Sequence, residues 1–237
     1  MSSTLVLFCG GPAIYRNLPK PLQTLHTGET LLERYLKHIE PNAPKRIILL
    51  VDQFFEKNFL DIIINIDYLS DISIITCPDH CSTFTKLQVM MENCPITEGS
   101  IMLSYPDIFV FEKLQVPMTD DPYLHEKVFI SNVAISSRFP RLVVDPYVGK
   151  VRGISKHISA MPSNPLHIYG GHLIARIELL RNLIKEFLSE VSIEEPSLEF
   201  DLFFWLINTN RMLSFPIYGQ WIQADSPREI EELIRLT

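Results

Sequence analysis

Leu5 to Leu22 reads LVLFCGGPAIYRNLPKPL, an apolar run that stops at Gly10-Gly11 and closes on Pro19-Lys20-Pro21. Such a run is a buried strand feeding a loop, because only glycine lets main-chain N–H groups close on a ligand with no Cβ in the way. Phosphate is the usual guest of such a loop, and Lys20, held between two prolines, is placed to neutralise it rather than to support the fold.

Outward from this stretch the pattern alternates strand and helix, which implies a sheet wound with crossover helices. Leu31, Leu32, Tyr35, Leu36 and Ile39 recur at helical spacing, with Glu33, Arg34, Lys37 and His38 on the other face. Arg46 to Val51 (RIILLV) is apolar enough to be a strand covered on both faces, and Gln53 to Asn65 then reads as a helix. Ile72 to Thr76 is the third strand, Ser82 to Glu92 a helix, and Ile101 to Tyr105 a fourth buried strand that ends in Pro106-Asp107. Strand-like runs follow at 128–136, 142–145 and 166–169, then helices at 173–190 and 197–207, where the sheet becomes mixed. A strand at 212–218 precedes a helix opened by Ser226-Pro227-Arg228-Glu229, a capping box with proline in the first helical position.

The chain of 237 residues is 46% hydrophobic and 21% charged, with no internal repeat and no Gly/Ser linker, and reads as a single domain over 1–237. Its net charge of −7 comes without a basic run, which argues against a nucleic-acid partner. The opening MSSTLVLFCGGP has no basic n-region, and the apolar stretch at 54–75 is broken by Glu56, Lys57, Asp61, Asp67 and Asp71. The expectation is a cytoplasmic protein with no membrane partner; a homo-oligomer is left open. Cys77-Pro78-Asp79-His80-Cys81 offers zinc-type ligands but lacks a second pair at zinc-site spacing, so Cys9, Cys77, Cys81 and Cys94 are read as free thiols.

Ligands of open parallel sheets bind beyond the carboxyl ends of the strands, where the Gly10-Gly11 loop and Asp107 both fall. A glycine loop, a lysine and a strand-end carboxylate together suit a nucleoside triphosphate with Mg²⁺, although neither standard phosphate-loop motif occurs.

The order of these features resembles the sugar-1-phosphate nucleotidylyltransferase family. That family opens with a strand, a G-G-x-G-T-R loop, P-K-P-L and a helix beginning G-x-x-L-L-E; the counterparts here are Gly10-Gly11, Pro19-Lys20-Pro21-Leu22 and Gly28-Glu29-Thr30-Leu31-Leu32-Glu33. Ser82-Thr83 resembles its G-T segment, Pro106-Asp107 its strand-end G-D, Tyr169-Gly170-Gly171 its later glycine before a helix, and Leu198-Glu199-Phe200-Asp201 its acidic helix start. Trp221-Ile222-Gln223-Ala224-Asp225-Ser226-Pro227 stands where the family has W-x-D-x-G-T-P, and Lys156 is a loose counterpart of its E-K-P lysine.

The resemblance implies a Rossmann-like α/β fold, a mostly parallel mixed sheet flanked by helices of the nucleotide-diphospho-sugar transferase type. It further implies that a nucleoside triphosphate and a sugar 1-phosphate are joined with loss of pyrophosphate, toward surface polysaccharide or cell-wall precursors. Lys20, Arg16 and Asp107 would be catalytic, and Gly10, Gly11, Ser82 and Thr83 would hold the nucleotide. Lys156, Gly171 and Glu199 would hold the sugar phosphate, and Asp107, Asp225 and Gln223 the Mg²⁺. The loop after Gly11 is shorter than the family's, and Gln223 replaces its second metal aspartate, with Asp225 two residues on as a substitute. Two other readings stay open: a non-catalytic relative that binds a nucleotide or a protein, and a nucleotide-sugar-dependent glycosyltransferase.

Overall fold

The computed structural model describes residues 4–10, 14–15, 18–42, 44–66, 71–112, 114, 121–134, 141–145, 148–155 and 167–236. The chain runs through β1 (Thr4–Phe8), β2 (Ile14–Tyr15), β3 (Leu18–Pro19), α1 (Leu31–Ile39), β4 (Arg46–Asp52), α2 (Glu56–Asn65), β5 (Asp71–Cys77), α3 (Thr83–Asn93), β6 (Ser100–Ser104) and β7 (Ile108–Val110). It continues through β8 (Val128–Ala134), β9 (Arg141–Val144), β10 (Val151–Ser155), β11 (His167–Arg176), α4 (Ile177–Glu190), α5 (Phe203–Asn208), β12 (Met212–Pro216), β13 (Trp221–Gln223) and α6 (Pro227–Leu236). These elements form two compact units: residues 2–96 with 103–109 and 222–237, and residues 97–102 with 110–221.

In the first unit β1, β4 and β5 are parallel, with Val6 opposite Ile48 and Ile48 opposite Ser73. Every residue of β1 is buried, as is every residue of β4 but Arg46, which is why both read as unbroken apolar runs. The helix α1 starts at a capping box: Glu33 N–H donates to Thr30 Oγ1 (3.2 Å), and Thr30 N–H donates to Glu33 Oε2 (2.6 Å). Such a cap contributes about 1 kcal/mol, and the helix then buries Leu31, Leu32, Tyr35 and Leu36. At α3 the cap is Ser82, whose Oγ accepts from Thr85 N–H (3.1 Å), and the helix packs on β5. At α6, which Pro227 opens, Ser226 Oγ accepts from Glu229 N–H (3.4 Å), and Glu229 Oε2 accepts from Ser226 Oγ (2.9 Å) and from Asp225 N–H (3.2 Å).

In the second unit β8 lies between β11, antiparallel to it, and β12, parallel to it; β9 joins β11 and β10 joins β9, both antiparallel. One apolar cluster gathers Leu124, Phe129, Ile174 and Phe215, and another Val133, Ile168 and Ile217. The helix α4 buries Ile177, Leu180, Leu183, Ile184 and Phe187. Parallel pairing in the first half and mixed pairing in the second bear out the α/β, Rossmann-like expectation. The helix expected from Leu173 begins only at Ile177, because Leu173 and Ile174 pair with Ile130 and Phe129 after a bulge beyond Tyr169. Gly171 sits in that bulge at φ +86, a conformation that glycine adopts at no steric cost. No described helix is long and apolar enough to cross a membrane.

Candidate functional site

Lys20 opens a short 3₁₀ turn, Lys20–Leu22, with Pro19 extended before it and Pro21 within it. The side chain is thereby aimed by a backbone with little freedom. Its Nζ donates to Asp107 Oδ2 at 2.6 Å and also bonds Asp225 Oδ1. Asp107 lies in the turn that follows β6, and its carbonyl accepts from Ala224 N–H (2.8 Å), which brings the segment after β13 alongside it. Residues 87 and 205 positions from Lys20 thus meet at one ammonium.

Asp107 is nearly buried, with 14% of its side chain exposed, against 34% for Asp225. Burial pushes the Asp107 carboxyl above its ordinary range, Lys20 pulls it back, and Asp225 adds repulsion. Burial works against the Lys20 charge, yet the two carboxylates together hold the ammonium above its ordinary value. Two carboxylates sharing one monovalent cation leave a surplus negative charge in poorly solvated surroundings. That arrangement fits Mg²⁺, which takes one or two carboxylates and completes its shell with water and phosphate oxygens.

The structure therefore brings Lys20, Asp107 and Asp225 together. Gln223, on β13, is half-buried, and among the described residues the hydrogen bonds of Lys20 Nζ go to the two aspartates. Ser82 serves as the cap of α3 and Thr83 is its first residue, so both sit at the positive end of that helix. Gly171 and Glu199 belong to the other unit; Gly171 is buried in the β11 bulge, and burial pushes the Tyr169 phenol up, with the nearby Glu199 charge adding to the rise. Asp201 is spent on the chain itself, accepting from Ser197 N–H (2.7 Å) and Ser197 Oγ (2.8 Å). Gly11, Arg16 and Lys156 lie outside the described residues.

A second charged pair escapes the sequence reading. Asp52, at the carboxyl end of β4, bonds the Nζ of Lys86 on α3, and both side chains are at most 2% exposed. A Cβ built on Gly10 would run into Asp52 Oδ1 and would stand 2.7 Å from its Cγ and 3.0 Å from Lys86 Nζ. Gly10 is thus glycine because a carboxylate and an ammonium fill the space beneath it. The available signal was positional: Asp52 ends its strand as Asp107 follows its own. Burial pushes the neighbouring Cys9 thiol well up, so that cysteine is a packing residue rather than a nucleophile.

No protein-family profile and no curated protein matches the chain. Among solved structures it is similar to the inositol-1-phosphate CTP transferase from T. maritima, with a TM-score of 0.76 at 13% identity over 99% of this chain and 96% of that one. It is also similar to HddC from Yersinia pseudotuberculosis, with a TM-score of 0.73 at 16% identity over 100% of both chains. The UTP-bound UGPase from Acinetobacter baumannii aligns with a TM-score of 0.67 at 13% identity over 99% of this chain and 93% of that one. From end to end, the chain has the α/β fold found in nucleotidyltransferases.

Proposed function

We infer that the chain is a nucleotidylyltransferase, joining a nucleoside triphosphate to a sugar 1-phosphate or a similar phosphorylated building block and releasing pyrophosphate. The observation that carries this reading is the convergence of Lys20, Asp107 and Asp225 in one unit with the strand-end Gly10. Full-length likeness to nucleotidyltransferases supports it, and with it the reading of 1–237 as one catalytic domain. Dependence on nucleoside triphosphates suits a cytoplasmic reaction, and the products suit surface polysaccharide or cell-wall assembly.

In the reaction an oxygen of the sugar phosphate attacks the α-phosphorus of the triphosphate in line. The bond from that phosphorus to its bridging oxygen breaks, and pyrophosphate leaves with the electron pair. The protein's work is positioning and charge stabilisation. Lys20 and Arg16 take phosphate oxygens, the N–H groups of Gly10 and Gly11 face the nucleotide, and Ser82 and Thr83 hold it at the start of α3. Lys156, Gly171 and Glu199 take the sugar phosphate. Asp107 and Asp225 would hold Mg²⁺, with Gln223 as a further candidate ligand, and the ion would supply the charge that neutralises the phosphates.

The test is to supply each nucleoside triphosphate with Mg²⁺ and a panel of sugar 1-phosphates and to measure pyrophosphate. Release from one pair establishes class and substrate together; release from none overturns the catalytic reading. Gln223 in place of the second aspartate favours one alternative, a nucleotide-binding relative without turnover. Saturable nucleotide binding without pyrophosphate would establish that one.

A further inference from the structure

The Asp52–Lys86 pair has no place in the chemistry above, yet it lies beneath the glycine that opens the loop. Its parts come from two elements: Asp52 ends β4, and Lys86 sits one turn into α3, the helix capped by Ser82. The third element at the same point is β1, whose continuation Cys9 donates its N–H to Leu50 O (2.9 Å) and delivers Gly10 over the carboxylate. Asp52 Oδ2 is buried with no hydrogen-bond partner among the described residues. A desolvated pair with an unsatisfied oxygen adds little net stability compared with apolar residues of the same size. What such a pair does supply is a fixed geometry, directional and intolerant of displacement once buried.

We propose that Asp52 and Lys86 are positioning residues for the nucleotide, clamping the backbone of Gly10 to the first turns of α3 so that Gly10 and Ser82-Thr83 stay at a fixed separation. This rests on the nucleotide-binding reading above. Neither side chain is open to a ligand, since both are at most 2% exposed. Loosening the clamp therefore acts on nucleotide affinity and leaves the chemical step alone.

Two sets of variants test this on the full chain, with ATP, GTP, CTP, UTP and dTTP as probes. In the double variant Asp52→Asn with Lys86→Met, both charges are removed at nearly constant volume. The melting temperature is expected to hold within a few degrees, while Kd and KM for the preferred triphosphate rise about tenfold and kcat stays within twofold. A merely structural pair would move the melting temperature and not the affinity. A folded double variant with unchanged affinity overturns the proposal.

The second set is a melting cycle that needs no ligand. Gly10→Ala should lower the melting temperature in the wild-type background, because its methyl meets Asp52 and Lys86. It should do so much less in an Asp52→Ala, Lys86→Met background, where that space is open. Equal losses in both backgrounds show that the pair does not set the backbone at Gly10, and the proposal falls. A wild-type protein that binds none of the five triphosphates overturns the nucleotide reading and the clamp's stated role with it, whereas the melting cycle still decides the contact.

Discussion

Lys20 is held by proline on both sides, and the sequence suggests a side chain kept for ligand at little consequence for the fold. Its partners change that expectation. Removing the ammonium would leave a nearly buried Asp107 facing Asp225 with no counter-charge. Exposed pairs contribute about 0–1 kcal/mol and fully buried ones about 3–5 kcal/mol when one partner is lost. With Lys20 20% exposed, an intermediate loss of about 1–2 kcal/mol is expected for Lys20→Met in urea unfolding. A loss under about 0.5 kcal/mol, the range of an ordinary surface change, would show that the contacts do not persist in solution. Losing a charge-assisted phosphate contact worth roughly 1.5–3 kcal/mol should also weaken triphosphate binding ten- to a hundredfold. Asp225 and Gln223 make a sharper comparison two residues apart. Asp225→Asn should cut turnover at limiting Mg²⁺ about tenfold, while Gln223→Asp is tolerated, because Asp225 and not Gln223 shares the Lys20 ammonium with Asp107. Equal effects of the two changes in a Mg²⁺ titration would remove Asp225 from the site.

At the scale of elements, β1 and β4 were legible from burial on both faces, β5 from its isoleucine-rich run, and α1 and α6 from 3.6-residue periodicity and capping residues, all written in consecutive residues. The boundary between β11 and α4 was not. The run Leu173-Ile174-Ala175 suits a buried strand or a helix equally, and only pairing with β8, forty-odd positions earlier, decides it. Asp52 and Lys86 were illegible for the same reason, being brought together by a crossover rather than by spacing. The β11–β8 pairing also seals His172 against Ser131, whose Oγ accepts from His172 N–H (3.0 Å) and lies 3.2 Å from its Nδ1. Burial drives that imidazole from an ordinary 6.5 down to about 4, with a hydrogen bond to the Gly170 backbone opposing. A depressed histidine favours folding fully above its unfolded value, and the advantage is lost as pH falls through 6.5 toward about 4. The loss is on the order of 3 kcal/mol. His172→Asn should therefore flatten the dependence of unfolding free energy on pH across this window. Identical slopes for variant and wild type would mean that His172 is protonated without penalty.

For the whole molecule, ligand binding to the native state alone must raise its stability by mass action. A triphosphate at a hundred times its dissociation constant adds about 2.7 kcal/mol. In a chain of this size each kcal/mol moves the melting temperature by roughly 2–4 °C, so the expected rise is roughly 5–10 °C. The net charge of −7 sharpens the reading, since a polyanion gains nothing from the protein's average field and must find the local cation at Lys20. Duplex DNA at low salt should accordingly give no shift, whereas the preferred triphosphate with Mg²⁺ gives the full one. Omitting Mg²⁺ should reduce the shift, because the triphosphate then meets Asp107 and Asp225 with only Lys20 between them. Asp107→Asn should make the shift insensitive to Mg²⁺ while changing the ligand-free melting temperature little, since the amide oxygen of the substituted side chain still accepts from Lys20. A wild-type shift of the same size with and without Mg²⁺ would separate nucleotide binding from the two aspartates and leave the phosphates to Lys20 and the other proposed phosphate contacts.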